Sequence, residues 1–249
     1  MLYLKGRYKN DMRFYYIIVR NLLVLEPIIH KLRRLTENNA SESECYAYLK
    51  RIVRRIKWTG LIRTEVYGTE NLPKEGGYVM YPNHQGKYDA YGVVYGHEKP
   101  CTVVMDKARS YFPFIREILN MIRAKRLDKK DPKQALGIIN QVAEEVKQGR
   151  RYIIFPEGGY DKVKKNQLYE FKSGCFRASL KSRTPIVPVV LIDSYKAMDS
   201  FMIGRVTTQV HFLPAIPYEE YKDMKSSQIA QLVKEKIYKK ICELKKVSC

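Results

Sequence analysis

The chain has 249 residues, 45% of them hydrophobic, which is enough to bury a full core. Its 46 Lys and Arg against 26 Asp and Glu leave a formal charge of +20, which calls for an anionic partner: phospholipid headgroups, nucleic acid or an acidic cosubstrate. The five cysteines (Cys45, Cys101, Cys175, Cys242 and Cys249) are odd in number and form no C-x-x-C pair, and no His shares a metal-ligand spacing with another His or Cys. Reduced thiols in a cytosolic setting and no bound metal are therefore expected.

Residues 12–35, MRFYYIIVRNLLVLEPIIHKLRRL, are the most apolar stretch, but Arg20, Glu26 and Pro27 interrupt it short of the ~18 to 20 apolar residues a spanning helix needs. No small-residue cleavage site follows, so it does not read as a signal peptide. Arg13, Arg20 and Arg34 recur at multiples of seven, predicting a basic stripe beside Phe14, Ile17, Ile18, Leu22, Leu25, Ile28 and Ile29. Such a helix either lies in a membrane interface or packs on the domain with a solvated basic edge; the sequence leaves both open. A polar loop, Asn38 to Ser43, leads to a second basic amphipathic segment, Tyr46 to Trp58. Residues 1–59 thus read as a helical hairpin suited to an anionic membrane surface, and 60–249 as the main domain.

From Leu61 strands and helices alternate. Strands are expected at Ile62–Tyr67, Gly77–Tyr81, Cys101–Met105, Ile122–Leu127, Tyr152–Phe155, Ile186–Ile192 and Thr207–Leu213. Helices are expected at Asp89–Tyr95, Lys107–Leu119, Pro132–Lys147, Ser173–Lys181 and Ser226–Lys245. The fold class is α/β, with a largely parallel sheet flanked by helices and an N-terminal two-helix segment. Tyr88, Tyr91 and Tyr95 read as core packing, and Pro188 is expected at an edge or a strand end.

In YPNHQGKYDAYGVVY, residues 81–95, a strand passes through a turn into a helix, with His84 and Asp89 five residues apart. Positions five apart on a helix diverge by about 140°, so the two meet only if His84 lies in the turn and Asp89 in the first helical turn. A carboxylate on one imidazole nitrogen leaves the other free to take a proton, which suits a general base. Farther on, RRYIIFPEGG, residues 150–159, delivers a carboxylate, Glu157, and two glycines to a strand end, where they suit a hydroxyl or an ammonium. Lys172, ahead of a helix starting at Ser173, suits an anion.

In this order, Asn83-His84 with Asp89, Phe155-Pro156-Glu157-Gly158 and Val187-Pro188 resemble the conserved blocks of the PlsC-type glycerolipid acyltransferase family, over roughly residues 60–195. The resemblance implies acyl transfer from a thioester, acyl-CoA or acyl carrier protein, to the free hydroxyl of 1-acylglycerol-3-phosphate, with no further cofactor. It assigns His84 as base and Asp89 as its orienting partner. Asn83, Glu157, Gly158 and Lys172 would serve the acceptor, together with Lys129 or Arg126 at the end of the second block. Where the family continues Thr-Arg after Glu-Gly, this chain has Gly159 and Tyr160, so a phosphate-binding arginine is absent; Lys162, Lys164 and Lys165 are candidates to compensate. The acceptor is accordingly lysophosphatidic acid, or else another lysophospholipid or an amino-lipid.

There is no G-x-S-x-G elbow, and Cys175 reads as a small core residue rather than a nucleophile. The expected setting is the cytoplasmic face of the cell membrane, peripheral or monotopic, with Ile229, Leu232, Val233, Ile237 and Ile241 forming one face of the last helix. The rival reading is a non-catalytic basic lipid-binding protein of the same fold. No RRM, KH or zinc-finger signature accompanies the charge, so no nucleic acid is expected.

Overall fold

The computed structural model of the protein describes residues 11–161, 165–201 and 204–246. Two long helices lead, α1 (Met12–Glu37) and α2 (Glu42–Thr59). A capping box starts α2: the Ser41 hydroxyl accepts the Glu44 N–H while the Glu44 carboxylate accepts the Ser41 N–H. Then come β1 (Ile62–Tyr67), β2 (Tyr78–Pro82), α3 (Asp89–Gly96), β3 (Thr102–Asp106), α4 (Pro113–Met121), β4 (Lys125–Leu127) and α5 (Pro132–Lys147). The chain continues with β5 (Arg151–Ile153), α6 (Arg177–Ser182), β6 (Ile186–Ile192), β7 (Val206–Phe212), α7 (Tyr218–Tyr221) and α8 (Ser226–Lys245).

The strands form one seven-stranded sheet in the order β1-β7-β6-β2-β5-β3-β4. Every pairing is parallel except β6 with β7. Side chains alternate across the sheet. Tyr78 and Met80 face a core shared with α1 to α4, and Val79 and Tyr81 face one shared with α5 to α8. Burial on both faces explains why β2 and β6 read as unbroken apolar runs. Ile17 and Leu32 of α1 and Leu49, Ile52 and Val53 of α2 belong to the first core, so these helices are packed into the domain over much of their length.

Four local expectations change; the helix expected over 173–181 opens as a 3₁₀ turn, Ser173–Phe176, and only α6 is α-helical. The helix expected over 107–119 is two pieces: a 3₁₀ turn at Lys107–Arg109, then α4, because Phe112 precedes a proline and is extended. Ile122 to Ala124 belong to the end of α4 instead of β4, with Arg123 at φ +50° and the Ala124 N–H bonded to the Leu119 carbonyl at 2.8 Å. Pro188 sits inside a central strand. It is tolerated there because the register with the β7 side gains one residue between Val189↔Phe212 and Ile186↔Ile216, leaving a bulge at which the Pro188 carbonyl still accepts the Leu213 N–H at 3.0 Å.

The basic stripe on α1 is also corrected. Arg20 and Arg34 are exposed, but Arg13 is 1% exposed. Its guanidinium donates to the carbonyls of Ala197 (3.0 Å), Gly204 (2.7 Å) and Gly60. Arginine at this position is a five-donor plug for backbone ends that converge beneath α1.

His97, buried at the end of α3, donates from Nδ1 to the Lys99 carbonyl (2.6 Å) and accepts the Tyr78 hydroxyl at Nε2 (2.7 Å). Desolvation pushes its imidazole down to about 4 from 6.5. Between those values the unfolded chain binds a proton that the native state does not, so stability is lost as pH falls from 6.5. His97 alone is expected to cost about 2 kcal/mol by pH 5. His211, also held down to about 4 by burial, adds in the same direction. Melting curves of wild type and His97→Gln between pH 6.5 and 5 check this; equal slopes would refute it.

Candidate active site

Strands β2, β5 and β3 are neighbours in the sheet and run the same way, so their carboxyl ends meet at one edge, where open α/β sheets place their sites. As β2 ends, Asn83 turns both amide functions onto Leu191 of β6: Nδ2 donates to its carbonyl (3.1 Å) and Oδ1 accepts its N–H (2.7 Å). That prolongs the pairing by one residue and fixes where the chain leaves the sheet. His84 therefore stands at the top of β2, and the next turn brings Asp89, the first residue of α3, back beneath it.

The Asp89 carboxylate is fully buried, and its Oδ2 receives three donors: His84 Nδ1 at 2.7 Å, Gln85 N–H at 2.5 Å and Gly86 N–H at 2.9 Å. An ionised carboxylate only accepts, so His84 carries its proton on Nδ1. Nε2 then presents its lone pair and has no hydrogen-bond partner among the described residues. The first turn of α3 supplies a favourable field for the buried anion. On its faces and edge the ring is confined by aromatics: stacked on Phe155 with centroids 4.2 Å apart, and edge-on to Tyr160 at 4.6 Å.

From the end of β5, Glu157 reaches across to the same loop. One carboxylate oxygen accepts the His84 N–H (2.9 Å) and the other the Tyr169 N–H (3.3 Å). Gly158 follows at φ +70°, and a Cβ there would lie 3.0 Å from the Cε and Nζ of Lys172, whose aliphatic stem crosses over it.

His84 opens into a cavity of ≈ 1410 Å³. That exceeds the ~300 to 1,000 Å³ of most small-molecule sites and suits long aliphatic chains. Its deep wall is apolar, with Leu25 and Ile28 of α1, Phe114 and Ile118 of α4, and Leu136 and Ile139 of α5. Around His84 the lining is cationic and glycine-rich: Lys129, Lys172 and Arg109 stand with Gly158 and Gly159. Lys129 is paired with Asp106 at 2.5 Å. Arg109 lies over the Tyr160 ring, 5.8 Å from its centroid, with no carboxylate at ion-pairing distance among the described residues.

Of the residues singled out from sequence, His84, Asp89, Glu157, Gly158, Lys129 and Lys172 are gathered at this edge. Three have other positions than substrate contact. Asn83 and Glu157 bind backbone groups, holding the turn and His84. Arg126 bonds Asn120 (2.6 Å) and Ser110 (3.2 Å) and does not line the cavity. Cys175 is half-buried in the cavity wall, its thiol donates to the Lys172 carbonyl (3.1 Å), and desolvation pushes it up to about 12, which makes it a poor nucleophile. Lys162 and Lys164 lie outside the described residues. Sequence reasoning missed Arg109, Tyr160 as a wall for His84, and a lysine, Lys87, held between two aspartates. Tyr160 comes from a loop whose spacing carries no periodic signal, and Arg109 ends a 3₁₀ turn inside the segment expected as one continuous helix, where its direction could not be read.

A family model described as Acyltransferase matches residues 63–192. The chain is 27% identical over 183 residues to the 1-acyl-sn-glycerol-3-phosphate acyltransferase of Saccharomyces cerevisiae, covering 72% of this chain and 60% of that protein. Its Borreliella burgdorferi namesake is 22% identical over 194 residues, covering 76% and 75%. The human alpha form is 27% identical over 175 residues, covering 69% and 61%. The chain thus spans about three fifths of the length of the yeast and human relatives. In fold it matches the crystal structure of the LPA acyltransferase PlsC from Thermotoga maritima, with a TM-score of 0.72, 15% identity and 98% of each chain covered. The fold and the matched blocks define an acyltransferase domain. The protein belongs to the PlsC-type acyltransferase family.

Proposed function

We propose that the protein moves a fatty acyl group from a thioester, acyl-CoA or acyl carrier protein, to the free hydroxyl of 1-acylglycerol-3-phosphate, giving phosphatidic acid. The observation that carries this reading is the His84–Asp89 pair, with Nε2 unoccupied, at the mouth of a large apolar cavity rimmed by cations. His84 Nε2 takes the hydroxyl proton as the alkoxide oxygen attacks the thioester carbonyl. The C–S bond breaks, and the proton held on the imidazolium passes to the leaving thiolate. Asp89 keeps the proton-bearing tautomer on Nδ1 and stabilises the imidazolium between the two transfers. Arg109, Lys129 and Lys172 supply the charge for the acceptor's phosphate; neither Arg109 nor Lys172 has a carboxylate partner among the described residues, and Arg109 is the strongest candidate because its guanidinium can bind phosphate through two N–H groups. The names of the homologous proteins support the acceptor; the donor is left to experiment.

Transfer of labelled acyl groups from each thioester, to acceptors with and without a phosphate, tests the reading. Rapid transfer to the phosphate-bearing acceptor is expected, and Arg109→Ala should raise its KM roughly 10-fold. Preference for an acceptor lacking phosphate would transfer the assignment to another lysolipid. Silence with every acceptor would favour the lipid-binding rival.

The same reading puts the enzyme on an anionic cytoplasmic leaflet. Among the described residues no helix is long and apolar enough to cross a membrane. The outer faces of α1 and α2 nevertheless expose Val19, Leu22, Leu23 (95%) and Trp58 among basic residues. Sedimentation with anionic vesicles, weakened by salt, is the expected result; no binding at low salt would remove this part of the reading.

A further inference from the structure

The loop that carries His84 is gripped from two sides. Asp89 holds it from below, through Gln85 and Gly86. From the other side comes Asp199, whose side chain is fully buried, in the segment that follows a 3₁₀ turn at Ser194–Ala197. Asp199 Oδ2 accepts the Lys87 backbone N–H at 2.8 Å, and Oδ1 accepts the Lys87 ammonium at 2.5 Å. Gly86 permits this approach: a Cβ there would lie 2.5 Å from Asp199 Oδ2. The Lys87 ammonium is shared with Asp11, the residue before α1, at 2.6 Å. The same first turn of α1 is fastened to the same segment by Arg13, which donates from its side chain to the Ala197 carbonyl and from its backbone to that of Ser200.

We propose that Lys87 and Asp199 are positioning residues for His84, and that through Asp11 the seating of the first turn of α1 sets the geometry of the catalytic loop. A buried carboxylate used as a backbone acceptor needs its charge compensated; Lys87 does so from within the loop being held. Burial pulls the Lys87 ammonium down, and the two aspartates more than offset it, leaving it raised. With Lys87 neutral, the buried Asp199 carboxylate loses the ammonium that faces it from the loop, and the Gly86–Lys87 turn keeps only its backbone bond to Asp199 Oδ2. With Asp11 gone, the loop would keep Asp199 and the contact of the Lys87 ammonium with the Phe14 ring (5.2 Å to its centroid) but lose its ion pair to the start of α1, the helix whose outer face is apolar and exposed. Lys87 and Asp11 line the same cavity as His84, but the Lys87 ammonium is taken up by the two aspartates, so the effect falls on the orientation of His84.

The kinetic consequence rests on the acyl-transfer reading, whereas the geometric one does not, and the test uses both. Lys87→Met, Lys87→Arg and Asp11→Asn are compared with wild type in acyl transfer and in ¹⁵N spectra of the histidine rings, with His84 assigned by His84→Gln. Lys87→Met is expected to lower kcat on the order of 10- to 100-fold, with KM for the acceptor within about twofold, because misplacing a base costs turnover and not binding. Its His84 resonances should show loss of the single Nδ1-protonated tautomer, and Lys87→Arg should restore both properties. Asp11→Asn, at the helix start, should show a smaller change of the same sign. A folded Lys87→Met with wild-type kcat, or with reduced kcat and an unaltered His84 spectrum, would overturn the proposal. An Asp11→Asn identical to wild type in both measurements would overturn the coupling to α1. If wild type transfers no acyl group, the acyl-transfer reading fails, and the His84 spectra still decide whether Lys87 positions the ring.

Discussion

His84→Ala is expected to reduce kcat for acyl transfer by roughly 10²- to 10⁴-fold while leaving the far-UV circular dichroism and the melting temperature close to wild type. The side chain is partly open to the cavity, and its loss removes one of the three donors to Asp89 but leaves the two backbone donors and the Glu157 bond that hold the loop. Asp89→Asn should cost a comparable factor for a different reason. An amide at that position can turn its NH₂ toward Nδ1, which would force the proton onto Nε2 and remove the lone pair that accepts the substrate proton. It should also lower stability, since Oδ2 takes two backbone N–H donors in a buried setting. The two variants are therefore distinguishable: both lose turnover, and only the second melts early. Transfer undiminished in His84→Ala would refute the base assignment. A loss in KM with kcat intact would assign His84 to binding instead.

Arg13→Ala is expected to be the most destabilising single change outside the cores, by about 3 to 5 kcal/mol, through removal of the donors to the carbonyls of Ala197, Gly60 and Gly204. For a chain of this size that is a fall of roughly 10 °C or more in melting temperature. Arg13→Lys should recover only part, because one ammonium cannot reach three divergent acceptors as a planar guanidinium does. If Arg13 acted as one charge in a lipid-facing stripe, Arg13→Ala would instead weaken vesicle binding with little change in melting. Differential scanning fluorimetry and vesicle sedimentation on the same sample separate the two outcomes.

Much of the architecture was legible because burial leaves periodic marks. The run Ile186–Ile192 and the strand Ile62–Tyr67 were bounded correctly from composition alone, as were α5 and α8, whose apolar positions repeat at helical spacing and whose ends carry ordinary start and stop signals. The pairing of His84 with Asp89 was also readable. The chain separation is short, and geometry allows the contact only if the histidine lies in the turn and the aspartate in the first helical turn. Short elements near prolines and positive-φ residues were misplaced, because Phe112-Pro113 and Arg123 act through backbone conformation that hydrophobic pattern does not report.

The sequence by itself determined the α/β class, the direction of the strands that carry the site, and the pairing of His84 with Asp89, since each depends on contacts local along the chain or on a repeating apolar pattern. The tertiary structure decided which charged residues line the cavity and which are taken up inside the fold. Arg13 became a buried plug, Arg126 a brace, Glu157 and Asn83 backbone partners, while Arg109 and Lys87 emerged at the site. A charged side chain leaves no burial signal in the apolar pattern, whether it stands on a helix, a strand or a loop, and its role follows from which backbone ends and counter-charges the fold brings within about 3 Å of it.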